Sequence, residues 1–98
     1  MYKSIDSSDF KKILNEKQIH VVDVREQDEY DAGHIPGASH LPLSGFPENV
    51  KELSKDKKHY LICASGGRSS MACNQLDAAG FDVVNVEGGM MQWRGDIE

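Results

Sequence analysis

The sequence predicts an α/β fold built on a mostly parallel sheet, and three observations lead there. Short apolar runs of strand length recur at His20-Val21-Val22-Asp23-Val24-Arg25, Tyr60-Leu61-Ile62 and Phe81-Asp82-Val83-Val84-Asn85-Val86, two of them rich in β-branched residues. Stretches of helical period lie between and before them: Phe10, Ile13 and Leu14, then Met71, Ala72, Leu76 and Ala79. Strands that alternate with helices are joined by crossovers, and crossovers make parallel neighbours.

In chain order, residues 1–19 read as a short strand and an amphipathic helix. Ser7 or Ser8 is expected to cap that helix, with Asp9 at its positive end. After the His20–Arg25 strand, Glu26 to Ala32 suits a short helix ended by Gly33. Ser39 to Leu43 reads as a further strand, stopped by Pro42. Phe46 to Leu53 reads as a small helix with Pro47 in its first turn. The charged stretch Lys51 to Lys58 is expected to be a solvated connection. A strand over Tyr60–Ile62 then leads through a loop to a helix, and Gly80 stands where helices end on a left-handed residue.

Ninety-eight residues form one domain, 1–98, large enough for a core without metal or disulfide staples. A content of 39% hydrophobic and 28% charged residues fits a folded, soluble chain. The net charge of −5 argues against nucleic acid or an anionic membrane as partner. No stretch approaches the roughly 20 apolar residues of a membrane span. Met1 to Phe10 lacks the apolar core of a secretory signal, and two cysteines without export point to a reducing cytoplasm.

The chemistry concentrates between the central strand and its helix, at Cys63-Ala64-Ser65-Gly66-Gly67-Arg68-Ser69. Two glycines let the backbone curl so that successive N–H groups converge on one point. The helix start adds unpaired donors and a positive dipole end, and Arg68 adds a charge. Such settings lower a cysteine pKa from about 8.5 to roughly 3.5–7.5. A buried cysteine is ordinarily a small hydrophobe, but glycines, serines and an arginine around it contribute nothing to a core. Cys63 is therefore the candidate nucleophile and Ala64, Ser65, Gly66, Gly67, Arg68 and Ser69 its anion cradle.

Spacing separates two chemistries. Cysteine phosphatases place five residues between cysteine and arginine, and here there are four. The shorter loop suits a single terminal sulfur better than a phosphoryl group. The stretch resembles the active-site loop of the rhodanese sulfurtransferases, C-x-x-G-x-R-S, at every fixed position. A second signature of that family matches Asp23-Val24-Arg25-Glu26, Glu29-Tyr30 and Gly33-His34-Ile35-Pro36-Gly37-Ala38. A third matches Gly88-Gly89 followed by Trp93. Together they cover almost the whole chain.

The resemblance implies a rhodanese-like sandwich, a mostly parallel five-stranded sheet with helices on both faces. It implies transfer of a sulfane sulfur from thiosulfate or a persulfide to a thiol or cyanide through a Cys63 persulfide, with no metal or organic cofactor. Partners would be a small sulfur donor and a thiol acceptor, a protein persulfide or thioredoxin-like acceptor among them, with the chain a monomer. Relatives that use thiosulfate well carry cations directly after the cysteine and just before the tyrosine matched by Tyr30. Here those positions hold Ala64, Ser65 and Glu29, so weak thiosulfate binding is expected. Two other readings stay open: a non-catalytic binding module, though such domains commonly lose the cysteine, and a small phosphatase or arsenate reductase.

The remaining polar residues read more plainly. Asp23 and Arg25 sit at a strand's carboxyl end, where parallel sheets place ligands. They are expected to pair with each other or with turn amides, and to support the site at most. His34 is expected to hydrogen-bond backbone in its Gly-His-Ile-Pro-Gly turn. His20, His40 and His59 are scattered, and the gap from Cys63 to Cys73 is no zinc spacing. Cys73 is expected on the helix flank, too far from Cys63 for a disulfide. Trp93 is expected in the core, and Gly88 and Gly89 beside the cysteine loop.

Overall fold

Residues 1–98 are described by a computed structural model. Its strands are β1 (Lys3–Asp6), β2 (His20–Asp23), β3 (Ser39–His40), β4 (Lys58–Ile62) and β5 (Asp82–Glu87). Its helices are α1 (Ser7–Glu16), α2 (Gln27–Ala32) and α3 (Gly67–Ala78). The five strands form one sheet in the order β1-β5-β4-β2-β3, every pair parallel. Side chains alternate across a strand, and here they divide the core in two. Val22, Val24, Leu61, Cys63 and Val83 pack with Ala72, Cys73 and Leu76 of α3 on one face. Val21, Tyr60, Ile62, Val84 and Val86 pack with Phe10 of α1 and with Trp93 on the other. The three inner strands, β2, β4 and β5, are thus apolar on both faces, which is why they read as largely continuous runs.

The chain leaves β2 toward one edge of the sheet and leaves β4 toward the other. The reversal opens a crevice outside the carboxyl ends of β2 and β4, the place where open parallel sheets bind ligands. Cys63 stands at that end of β4, and Val24 at that end of β2 is tied to β4 by its N–H on the Ile62 carbonyl at 3.0 Å. No helix is long and apolar enough to cross a membrane.

Several local expectations are corrected. Asp6, not Ser7 or Ser8, caps α1, accepting from the Asp9 N–H at 2.8 Å. Ser7 is buried and its hydroxyl turns to the carbonyls of Glu87 and Gly89. β3 pairs over two residues only, shorter than the expected Ser39–Leu43. Leu41 and Leu43 still donate to Asp23 and Val24 along the same edge. The small helix expected over Phe46–Leu53 is instead a 3₁₀ segment, Glu48–Glu52, with Pro47 ahead of it, and a further 3₁₀ turn, Leu43–Gly45, precedes it. On α3 the buried face is Ser69, Ala72, Cys73 and Leu76, while Met71 is exposed. The spacing i, i+3, i+4, i+7 was there, but a serine and a cysteine occupy half of it. Gly80, at φ +93°, ends the helix, with its N–H on Asp77 and that of Phe81 on Leu76.

Candidate active site

Cys63 follows β4 directly, and its side chain is 1% exposed at the floor of the loop. Gly66, at φ +107°, turns the backbone back on itself, and its N–H donates to the Cys63 sulfur at 3.1 Å. α3 begins at Gly67 with no side chain capping it, so its first N–H groups remain free to face the sulfur. The Ser69 hydroxyl lies 3.4 Å from the same sulfur.

A turn from beyond β5 fixes the loop's peptide planes. The Cys63 carbonyl accepts from Met90 N–H at 2.8 Å and the Ala64 carbonyl from Met91 N–H at 2.9 Å. In a trans peptide N–H points opposite to C=O, so anchoring the Ala64 carbonyl outward turns the Ser65 amide inward. Gly89, at φ +54°, makes the approach possible. A Cβ there would stand 2.3 Å from the Cys63 carbonyl oxygen. The glycine pair of the third signature therefore lies against the cysteine loop, and Trp93 packs on Phe10 in the core.

Two opposed effects act on the Cys63 thiol. Burial pushes its pKa up, but the Ser69 hydroxyl and the amides of Ser69, Gly66 and Ser65 outweigh it, so the net displacement is downward. Cys73 has burial without the donors and is pushed up to about 12, with Asp77 and Cys63 adding to the rise. Both are free thiols. Cys73 faces the sheet, not the helix flank, because the buried stripe of α3 runs through it.

Arg68 is placed differently from what the loop alone suggested. Its guanidinium forks onto Glu29 of α2, Nη1 to Oε1 at 2.6 Å and Nη2 to Oε2 at 2.8 Å. The hydrogen bonds from Arg68 hold the Glu29 carboxyl down at about 2 against the opposing effect of burial. The two charges therefore neutralise each other at the rim of the crevice, each about one-third exposed at 35% and 34%. The groups that lower the Cys63 pKa are the Ser69 hydroxyl and backbone amides in the first place.

Asp23 and Arg25 pair with each other. Arg25 Nη2 donates to Asp23 Oδ2 at 2.8 Å and to the Gly33 carbonyl at 2.7 Å, and its backbone N–H meets Asp23 Oδ1 at 3.0 Å. The pair braces the chain between β2 and α2 beside the crevice. His34 Nδ1 donates to the Tyr30 carbonyl at 2.9 Å, and Tyr30 is stacked between the rings of His34 and His40. His20 and His59, scattered in sequence, meet through their Nδ1 atoms on paired strands, at the opposite end of the sheet from Cys63.

Sequence reasoning missed one residue at the site. Asn85 of β5 is 4% exposed and touches Ser69. The available signal was an amide inside the apolar run Val83-Val84-Asn85-Val86, since buried polar side chains are paired.

Residues 6–96 match the family model of the rhodanese-like domain. YtwF of Bacillus subtilis is 45% identical over 87 residues, covering 89% of this chain and 84% of that protein. A protein of Allochromatium vinosum named sulfurtransferase is 34% identical over 95 residues, covering 95% of this chain and 89% of the other. The crystal structure of a rhodanese-like domain protein from Staphylococcus aureus superposes with a TM-score of 0.91 at 41% identity. That match spans 98% of this chain and 96% of the other.

Proposed function

The chain belongs to the rhodanese-like domain family and is a rhodanese-type sulfurtransferase, and from that premise we propose that Cys63 carries the transferred sulfur as a persulfide. The observation behind this is that the Gly66 amide at 3.1 Å and the Ser69 hydroxyl at 3.4 Å stand within hydrogen-bond reach of its sulfur. In the first half-reaction the Cys63 thiolate attacks the outer sulfur of the donor. A new S–S bond forms, the donor's own bond to that sulfur breaks, and its electron pair leaves with sulfite or with a thiolate. The negative charge moves one atom outward, onto Cys63–S–S⁻, where convergent donors hold it as an oxyanion hole holds developing charge. In the second half-reaction a thiolate or cyanide attacks that terminal sulfur and Cys63 leaves as thiolate.

The rim argues for the class of donor. Thiosulfate is a dianion, and the cation of the loop, Arg68, is committed to Glu29, as Arg25 is to Asp23. Ala64 and Ser65 offer no side-chain charge. A persulfide, on a small thiol or on a protein, needs less compensation and is the better donor on this reading. Thiol acceptors, including a thioredoxin-like protein, follow from the same chemistry.

Intact-mass measurement after incubation with thiosulfate or glutathione persulfide tests the assignment. The wild-type protein should gain one sulfur, lost on adding cyanide or a thiol, and Cys63→Ser should gain none. Sulfur retained on Cys73 in the Cys63→Ser protein would overturn it.

A further inference from the structure

Ser69 Oγ has one proton and three neighbours that want it: the Cys63 sulfur at 3.4 Å, the Gly66 carbonyl at 3.2 Å and the Asn85 side-chain oxygen at 2.5 Å. Ser69 is fully buried and Asn85 nearly so, so a competition among these groups is not diluted by solvent. As arranged, the shortest contact takes the proton, and Ser69 donates to Asn85. The Asn85 amide nitrogen then donates to the Gly66 carbonyl, at 3.4 Å. This arrangement satisfies a protonated Cys63, whose S–H can donate to the serine oxygen.

A thiolate or persulfide needs the opposite. The hydroxyl proton must turn to sulfur, and the serine oxygen then needs a donor in place of the acceptor it faces. Among its neighbours only Asn85 can supply one, because a carbonyl and a thiolate have no proton to give. Turning the amide end for end brings its NH₂ to Ser69. The chain then runs from the amide N–H to Ser69, and from the Ser69 O–H to sulfur. No proton leaves the network, and the amide gives up only its long contact to the Gly66 carbonyl, which keeps the Ser70 N–H at 3.1 Å.

Building on the assignment of Cys63 as sulfur carrier, we propose that Asn85 is a positioning residue whose side-chain amide, by offering Ser69 either its oxygen or its nitrogen, directs the hydroxyl proton away from or onto the Cys63 sulfur. Asparagine is suited to this, because the two ends of its amide have nearly one shape and opposite hydrogen-bonding sense. Aspartate can only accept, and would hold the proton off the sulfur. Leucine can do neither, and leaves the proton to the sulfur and the Gly66 carbonyl.

The test is the pH dependence of alkylation at Cys63, read by peptide mass, with sulfur loading measured in parallel. Asn85→Asp should raise the inflection by about one pH unit or more, a tenfold loss of thiolate at fixed pH. Asn85→Leu should leave it at or below the wild-type value. In a Ser69→Ala background the Asn85→Asp shift should fall to less than half, since the relay is gone. Where a variant does not fold, the NH₂ resonances of Asn85 in the otherwise unaltered protein give the same answer. They should titrate with the Cys63 inflection and lose that response in Ser69→Ala. The proposal is overturned if leucine raises the inflection as aspartate does, if the aspartate shift persists without Ser69, or if the amide resonances ignore Cys63. A wild-type Cys63 that titrates like a free thiol or takes up no sulfur would overturn the persulfide assignment itself, and this proposal with it.

Discussion

Cys63 and Cys73 are the same side chain, ten positions apart, in environments that drive them in opposite directions. Both are buried, and burial alone disfavours the thiolate. Convergent donors reverse the outcome at Cys63 and nothing reverses it at Cys73. Iodoacetamide at neutral pH should therefore modify Cys63 and spare Cys73 in the folded protein. The Cys63 inflection should lie below the value of about 8.5 for a free thiol. Linkage gives the same shift a second reading. A lowered folded-state pKa means that the fold favours the deprotonated form. The stabilisation is present above the unfolded thiol's pKa and is lost as pH falls through the folded one. Relative to wild type, Cys63→Ser should thus lose stability as pH rises across that window, measured by urea midpoints at several pH values. Glu29 makes the second prediction at this scale. Held at about 2 by Arg68, it is ionised at any assay pH. Glu29→Arg removes the counter-charge and adds a cation, so the KM for thiosulfate should fall several-fold while kcat changes less, because ground-state binding is what is added. The gain should shrink at high salt. An unchanged KM would show that the rim charge does not face the donor.

Among the elements, the turn after β5 matters more to the site than its length suggests. Two of its N–H groups hold the carbonyls of Cys63 and Ala64, and Ser7 at the start of α1 holds the turn in place through Gly89. The cradle is thus shaped by parts of the chain from both ends. Gly89→Ala combines a positive φ with a Cβ 2.3 Å from a backbone oxygen, and neither flexible side chain nor solvent can give way there. A loss on the order of 2 kcal/mol of stability is expected. Sulfur loading should drop by more than that instability explains, since the displaced turn releases the loop's peptide planes. Urea denaturation together with loading rates measured well below the unfolding midpoint would separate the two effects.

The whole molecule presents a thin sheet covered on both faces, with short strands β1 and β3 at its edges. Short edges limit pairing with other chains. Its most exposed weakness is a buried charge pair. Arg25 is 7% exposed and Asp23 0%, joined by several hydrogen bonds and anchored to the Gly33 carbonyl. Removing one partner strands the other in a dry site, typically at about 3–5 kcal/mol. Domains of this size have roughly 5–15 kcal/mol in total. Arg25→Ala should therefore lower the urea midpoint severely. A midpoint within error of wild type would mean that Asp23 finds water or another donor once Arg25 is gone.

Much of this was legible in contiguous residues. Periods of 2 and 3.6 are local properties, so the strand–helix alternation, the parallel sheet and the strand–loop–helix around Cys63 could be read along the chain. The glycines and serines of the loop announced an anion cradle for the same reason, since curling backbone and free amides are made by neighbours in sequence. What the tertiary structure decided was the pairing of polar groups with distant partners. Arg68 reached Glu29 across 39 positions, Ser7 reached Glu87 across 80, and Ser69 met Asn85 across 16. Those distances are closed by the order of strands in the sheet, and a polar side chain removed from water takes whichever partner that order brings within hydrogen-bond reach. Identity and spacing thus singled out the Cys63 sulfur as the candidate nucleophile, and the fold alone determined which polar partners surround it.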